Sequence, residues 1–306
     1  MSSKHTAPEM PPLLGFPSQP AVAVFCASRD GKEPAFRHAA QSLGEAIAKS
    51  GKDLIYGGGN NGLMGAVSKA ALDAGGKVTG ITPYPMLSGR RLEQFKKVYA
   101  QEKTGWNEGM AKSKYYPDLN RGDWVTFKEE ANEWLETVVV HSMHDRKLEM
   151  AKRAEAFVGL PGGFGTFEEL MEVITWSQIG IHHKPIIFLN VLGFYNPIKE
   201  LVYSCIRGGL IDELHQELII FIDGSDDPNF DWGTVALEAM EQWKKPYLPQ
   251  KFNWMKTLDD PGELEETKPV EDIEPPNRRL IRIMESKGDR ESEKESTMEQ
   301  VITVFA

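Results

Sequence analysis

Cysteine is almost absent: Cys26 and Cys205 are the only two in 306 residues. The first sits in a strand-like apolar run and the second in a helix-like one. Both read as ordinary buried thiols, which excludes a disulfide framework and fits a reducing compartment. An excess of positive charge is also missing. The 35 Lys and Arg stand against 45 Asp and Glu, a formal net charge of −10. That balance opposes any broad, counterion-driven affinity for DNA or RNA, while a small anion held locally remains compatible with it. No stretch approaches the ~18 consecutive apolar residues that a membrane span needs. Residues 1–20 carry Pro and Ser but no secretory apolar core, so they read as a flexible arm on a cytoplasmic protein. Metal-ligand spacing is missing too: His182-His183 falls on a turn without a Cys or carboxylate set beside it. The expectation is therefore no metal, no cofactor, no nucleic acid and no membrane partner.

What is present is an alternation. Short apolar runs at 21–27, 54–56, 77–81, 137–140, 156–160, 185–189 and 218–222 have the character of buried strands. Between them, residues 35–49, 63–74, 142–152, 166–178, 197–207 and 232–243 repeat apolar side chains three or four apart, the helical period. Strand–helix–strand repetition predicts an α/β fold with a doubly wound parallel sheet and helices on both faces. Such sheets bind ligands at the carboxyl ends of their strands. Two segments depart from the rhythm. Residues 83–136 are too long for a loop, and their aromatics and clustered charge predict an insert with helices of its own, placed to cover the site. Beyond residue 244 the chain turns rich in Pro and charge and reads as an acidic, partly disordered extension over 245–306. Its apolar end at 301–306 suits either an added strand, a contact with a second subunit, or a frayed terminus. The domain organisation read from this is an arm at 1–20, one domain at 21–244 and the extension.

Two glycine loops stand where strands give way to helices. The first runs Tyr56-Gly57-Gly58-Gly59-Asn60-Asn61-Gly62-Leu63-Met64-Gly65. Glycines there let backbone N–H groups close on an anion at a helix N-terminus; a tight turn packing helix against sheet is the plainer reading. Gly57, Gly59 and Gly62 also satisfy the dinucleotide spacing, but the next strand ends Gly80-Ile81-Thr82-Pro83 without the acid that would hold a ribose, which counts against an NAD-type oxidoreductase. The second loop is Leu160-Pro161-Gly162-Gly163-Phe164-Gly165-Thr166-Phe167-Glu168-Glu169. Thr166 suits an N-cap, and its spacing to Glu169 forms a capping box, an ordinary structural use for that glutamate. Two glycine loops on one sheet nonetheless suggest a phosphorylated ligand, since each glycine costs roughly 0.5–1 kcal/mol against alanine in regular structure. Between the loops, Ser142-Met143-His144-Asp145-Arg146-Lys147 opens a helix. Arg146 either offers a cationic fork to the strand-end crevice, or belongs with Asp145, Lys147 and Glu149 to a solvated helix face. His144 reads as an exposed or packed histidine rather than a catalytic one.

Taken together, Gly57-Gly58-Gly59-Asn60-Asn61-Gly62-Leu63-Met64-Gly65, Met143-His144-Asp145-Arg146-Lys147 and Pro161-Gly162-Gly163-Phe164-Gly165-Thr166-Phe167-Glu168-Glu169 resemble the Lonely Guy (LOG) family. The likeness continues through Glu172-Val173-Ile174-Thr175-Trp176 and Gly180-Ile181-His182-His183-Lys184-Pro185 to Leu189-Asn190. Members are cytokinin riboside 5′-monophosphate phosphoribohydrolases, often labelled lysine decarboxylases. The resemblance implies a Rossmann-like fold and a homodimer or larger homo-oligomer with sites near the subunit interface. It also implies hydrolysis of a nucleoside 5′-monophosphate to a free base, N6-modified adenine or adenine, and ribose 5-phosphate. Catalytic roles carry over to Arg146 and Glu169. Substrate and phosphate contacts fall to Ser28, Gly58, Gly59, Asn60, Gly62, Met143, Lys147, Gly162, Gly163, Gly165, Thr166, Glu168 and Thr175. Two departures matter. Cys26-Ala27-Ser28-Arg29 replaces the family's Gly-Ser-Ser turn, and the insert displaces a substrate-binding glutamate for which Glu129, Glu130 and Glu136 are the candidates. A pyridoxal-phosphate decarboxylase lacks a lysine in supporting context, and a non-catalytic nucleotide carrier on the same loops is the remaining rival.

Overall fold

A computed structural model describes residues 14–103, 124–254 and 302–304, apart from 16, 18, 131, 226, 228, 247 and 249–251. Residues 1–13 of the expected N-terminal arm, the aromatic centre of the insert and most of the charged extension lie outside the described residues; the end of the arm is not free, since Leu14 is buried in the core, bridges to His182 and donates from its N to Ile181 O at 2.8 Å. The described residues build one nine-stranded sheet in the order β4-β5-β3-β2-β1-β6-β7-β8-β9. Seven strands run parallel: β1 (Ala21–Phe25), β2 (Asp53–Tyr56), β3 (Val78–Pro83), β5 (Asn132–Val140), β6 (Ala156–Gly159), β7 (Ile186–Leu189) and β8 (Ile219–Ile222). They are the seven strands expected from the apolar runs. Central strands of a parallel sheet are covered on both faces, which is why their sequences are continuously apolar rather than alternating.

Helices cover both faces. On one side α1 (Pro34–Lys49), α2 (Gly62–Asp73) and α7 (Trp232–Gln242) pack Leu43, Val67 and Val235 onto Val22, Val24, Leu54 and Tyr56. On the other, α4 (Met143–Arg153), α5 (Phe164–Gln178) and α6 (Asn196–Arg207) bring Met150, Leu170 and Val173, with Ile198 and Val202 at the edge, onto Ala23, Phe25, Phe157 and Phe188. The period-2 alternation within β1, with Val22 and Val24 facing one layer and Ala23 and Phe25 the other, divides these cores.

The insert holds the helix expected of it, α3 (Gly89–Lys103), and also a strand that was not expected, β4 (Val125–Glu129). β4 pairs antiparallel with β5, and β5 begins at Asn132 inside the expected insert. Leu87, Phe95, Val125, Phe127 and Val139 close a third, smaller core between α3 and this hairpin. At the other edge β9 (Ile302–Val304) pairs antiparallel with β8, so the apolar end of the extension docks as a strand. Both outermost strands are thus short and antiparallel, capping a parallel sheet that would otherwise present open edges.

Candidate active site

From β1 the chain moves outward through β2 and β3 to β5, then crosses back to β6 beside β1. The reversal opens a crevice at the carboxyl ends of β1 and β6, the place where doubly wound sheets hold ligands. The loops after β1, β2, β5 and β6 meet there. Ala27 N donates to Pro161 O at 3.1 Å and Met64 N to Ala27 O at 3.2 Å, tying the β1 turn to both glycine loops.

The β2–α2 loop must be glycine for local reasons. Gly58 has φ +76°, and a Cβ on it would collide with Thr82 Oγ1; a Cβ on Gly57 would occupy the position of Arg146 Nη2. Gly57, absent from the expected site residues, is therefore what admits the arginine. Gly62 backs directly onto the Ser28–Arg29 turn, which places Ser28, itself exposed, beside the first loop. Gly59 lies against Met64, and Asn60 is exposed at the loop's tip.

Helix α4 supplies the cations. Ser142 is its N-cap, and Ser142 and Asp145 form a reciprocal capping box, with Ser142 N to Asp145 Oδ2 at 2.9 Å and Asp145 N to Ser142 Oγ at 3.1 Å. The reading of this segment as a solvated face is overturned: Asp145, Arg146, Lys147 and Glu149 are all buried. Met143 and His144, at the helix start, are exposed. Arg146 donates from Nε to Ile81 O at 3.1 Å and sets Nη1 2.8 Å from Glu169 Oε1. Lys147 Nζ pairs with Glu168 and, at 3.0 Å, with Glu172. Burial works against the Lys147 charge, but the bonds to Glu168 and Glu172 outweigh it and hold its pKa above the ordinary value.

The β6–α5 loop corrects the capping assignment. Helix α5 starts at Phe164 with Gly163 as N-cap, so Thr166 is not the cap and Glu169 is not its capping partner. Thr166 is buried against Gly162, while the positions where Gly163 and Gly165 would carry a Cβ face open space. Glu169 stands nearly two turns into the helix, 6% exposed, with Oε1 lacking an aligned hydrogen-bond donor among the described residues despite the nearby guanidinium. Burial raises its pKa and Glu168 adds to that; Arg146 and Lys147 oppose it, and the net shift is upward. A carboxylate held partly desolvated beside a fixed cation is suited to accept a proton or to face a developing positive charge. Cys26, just after β1, feels both groups, and burial pushes its thiol far up, which works against a thiolate. Thr175 does not join this group: it is exposed two turns farther along α5 and donates to Met171 O at 2.8 Å.

Of the three insert glutamates, Glu129 reaches the site region. It pairs with Arg91 of α3, which donates to Gly58 O, and it accepts from Thr137 Oγ1 at 2.7 Å. Glu130 is exposed and lies 3.7 Å from Lys97. Arg91 and Glu172 were not anticipated; the spacing Glu168 to Glu172, one turn of α5, was the available signal for the second.

Fold and site together define a doubly wound α/β protein whose crevice pairs a buried arginine and glutamate between two glycine loops. A family model described as "Possible lysine decarboxylase" matches residues 64–228, and one described as "SLOG cluster4 family" matches residues 19–96. The chain is 38% identical over 206 residues to a probable cytokinin riboside 5′-monophosphate phosphoribohydrolase of Oryza sativa subsp. japonica, covering 67% of this chain and 73% of that protein. It is 37% identical over 237 residues to a cytokinin riboside 5′-monophosphate phosphoribohydrolase of Arabidopsis thaliana, covering 74% of this chain and 92% of that protein. Among solved structures, the molybdenum cofactor carrier protein of Chlamydomonas reinhardtii aligns with a TM-score of 0.43 at 17% identity, over 73% of this chain and 98% of that one. The chain belongs to the LOG family.

Proposed function

We propose that the protein hydrolyses the N-glycosidic bond of a nucleoside 5′-monophosphate, releasing the free base and ribose 5-phosphate. The observation that carries this reading is the placement of Glu169: free of its own helix terminus, buried, and 2.8 Å from Arg146 between two glycine loops. Departure of the base develops positive charge on the sugar, as in other glycosidic cleavages. Glu169 stabilises that charge and takes a proton from water as the water oxygen bonds to the anomeric carbon. The carbon–nitrogen bond breaks, the base leaves with the bonding electrons, and the proton that Glu169 took from water passes to the base nitrogen, restoring the carboxylate. Arg146 holds the phosphoribosyl group, with the phosphate among the loop amides and Lys147 adding positive charge nearby.

The experiment is incubation with AMP, isopentenyladenosine monophosphate, the matching nucleosides and triphosphates, followed by separation of products. Release of base and ribose 5-phosphate from the monophosphates alone supports the assignment. Binding without release favours a carrier, and indifference to the 5′-phosphate removes the role given to the glycine loops. A pyridoxal-dependent decarboxylase would need a lysine open to the crevice, and Lys184 does not supply one. Lys184 is buried at the start of β7, opposite the crevice, donating to Ala151 O at 2.7 Å, and burial holds its pKa down at about 8.

We further propose a cytoplasmic homodimer or larger homo-oligomer, with residues 21–244 as the catalytic domain and 245–306 as its extension. Supporting this, Phe164 is 92% exposed beside the second glycine loop, a position that a second subunit would cover. Among the described residues no helix is long and apolar enough to cross a membrane, and both cysteines are free.

A further inference from the structure

We infer that the insert acts on the site through a latch, Arg91 and Glu129, which positions the Gly57–Gly59 strap under Arg146. Glu129 is then a positioning residue that works through Arg91 and does not itself touch the nucleotide. The inference rests on the proposed phosphoribohydrolase reading for its effect on turnover, but its structural half stands independently.

The chain of contacts is continuous. Thr137 Oγ1 of β5 donates to Glu129 Oε1 at 2.7 Å, fixing the carboxylate of β4. Glu129 Oε1 pairs with Arg91 Nε, and Arg91 Nη1 donates to the Gly58 carbonyl, linking elements 33 residues apart. Both partners are largely sealed, at 13% and 14% side-chain exposure, so solvent screens their attraction little. Gly58 is itself buried at φ +76° over Thr82, and the space that a Cβ on Gly57 would take is filled by Arg146 Nη2. A shift of the strap therefore moves the floor beneath the guanidinium that faces Glu169. Without an anchor, a run of three glycines samples many backbone states. The hydrogen bond from Arg91 reduces that freedom before any ligand arrives, which is where preorganisation lowers the cost of binding. Anchoring α3 is in turn the task of the small core of Leu87, Phe95, Val125 and Phe127. Arg91 and Glu129 both come from the insert, so this device is a property of the insert rather than of the sheet.

The test combines hydrogen exchange on the unliganded protein with kinetics on AMP. Arg91→Ala is expected to speed exchange over residues 56–65. It should also raise KM roughly tenfold, the usual scale for losing one charge-assisted bond, with kcat within about threefold. Arg91→Lys, which keeps a donor for Gly58 O, restores much of both. Glu129→Gln moves both readouts in the same direction by less, and Arg91→Ala with Glu129→Gln is no worse than Arg91→Ala alone, since the glutamate acts only through the arginine. Additive effects of the two substitutions overturn the inference by giving Glu129 a contact of its own. Unchanged exchange in a folded Arg91→Ala protein overturns the latch itself. Faster exchange with unchanged KM in an active enzyme overturns its role in binding. If wild type releases no base, the phosphoribohydrolase reading has failed instead; titration with ribose 5-phosphate then decides the latch, with weaker binding by Arg91→Ala expected and equal binding refuting it.

Discussion

Replacing Glu169 by glutamine removes one negative charge, keeps the side chain's volume, and leaves an oxygen to face Arg146 Nη1 at the present 2.8 Å. The catalytic expectation is a fall in kcat of ~10²–10⁴, the usual contribution of a positioned general base, with nucleotide affinity changed little because the glycine loops and Arg146 remain. The stability expectation runs the other way. Burial sets the pKa of Glu169 above the ordinary carboxylate value of 4.5 despite the arginine, so the folded protein holds that proton more tightly than the unfolded chain. Below about 4.5 both states are protonated and the two proteins are equally stable with respect to this group. As pH rises the unfolded chain ionises first, wild type loses stability, and the deficit is complete once pH passes the raised native pKa. Glu169→Gln, which never ionises, should therefore match or exceed the melting temperature of wild type at pH 7, with the advantage fading on acidification. The same raised pKa places the acid limb of wild-type kcat/KM above pH 4.5, and the variant's residual rate should lack it. Product separation after incubation with AMP, with denaturation curves from pH 4 to 8, reads all three. A folded Glu169→Gln protein turning over near the wild-type rate refutes the catalytic assignment. One that is inactive and also markedly less stable at neutral pH refutes the claim that the charge is kept at a cost to folding.

Three other outcomes follow from the same geometry. Gly57→Ala puts a methyl where Arg146 Nη2 lies; displacing the fork should cost about 1–3 kcal/mol of stability, and activity should fall disproportionately when assayed beside the melting curve. Arg146→Ala leaves the buried Glu169 without its cation, so it should lose up to about 3–5 kcal/mol at neutral pH together with most turnover, while Arg146→Lys recovers stability better than rate because it cannot reach both Ile81 O and Glu169. His182 is sealed against Val173 O at 2.9 Å, and burial drives its pKa down to about 3. Stability is therefore lost as pH falls from about 6.5 toward 3, by on the order of a few kcal/mol, and urea midpoints of His182→Gln should show a shallower acid decline.

The strands of the parallel sheet were legible because burial on both faces demands continuous apolar residues, a signal that neighbouring sequence does not disguise. β4 was not, because Val-Thr-Phe-Lys-Glu alternates over only five residues and follows a long segment with no such pattern. Thr166 was taken for a cap because hydroxyl side chains favour helix starts, yet an extended Gly163 opens α5 three residues earlier without any side-chain cap. The charged opening of α4 misled for a related reason. Charge in sequence implies water, and only the approach of α5 and of Ile81 O at β3 provides partners that let Arg146 and Lys147 be buried, with Gly57 leaving the room.

The sequence by itself therefore determined the alternating architecture, the positions of the glycine loops and the residue types at the crevice, since each follows from local periodicity or backbone freedom. Only the tertiary structure decided that Glu169 faces Arg146 rather than its own helix end, that Gly57 exists to admit that arginine, and that Arg91 of the insert reaches Gly58. Each of these depends on distances between segments far apart in the chain, and no local pattern encodes such a distance.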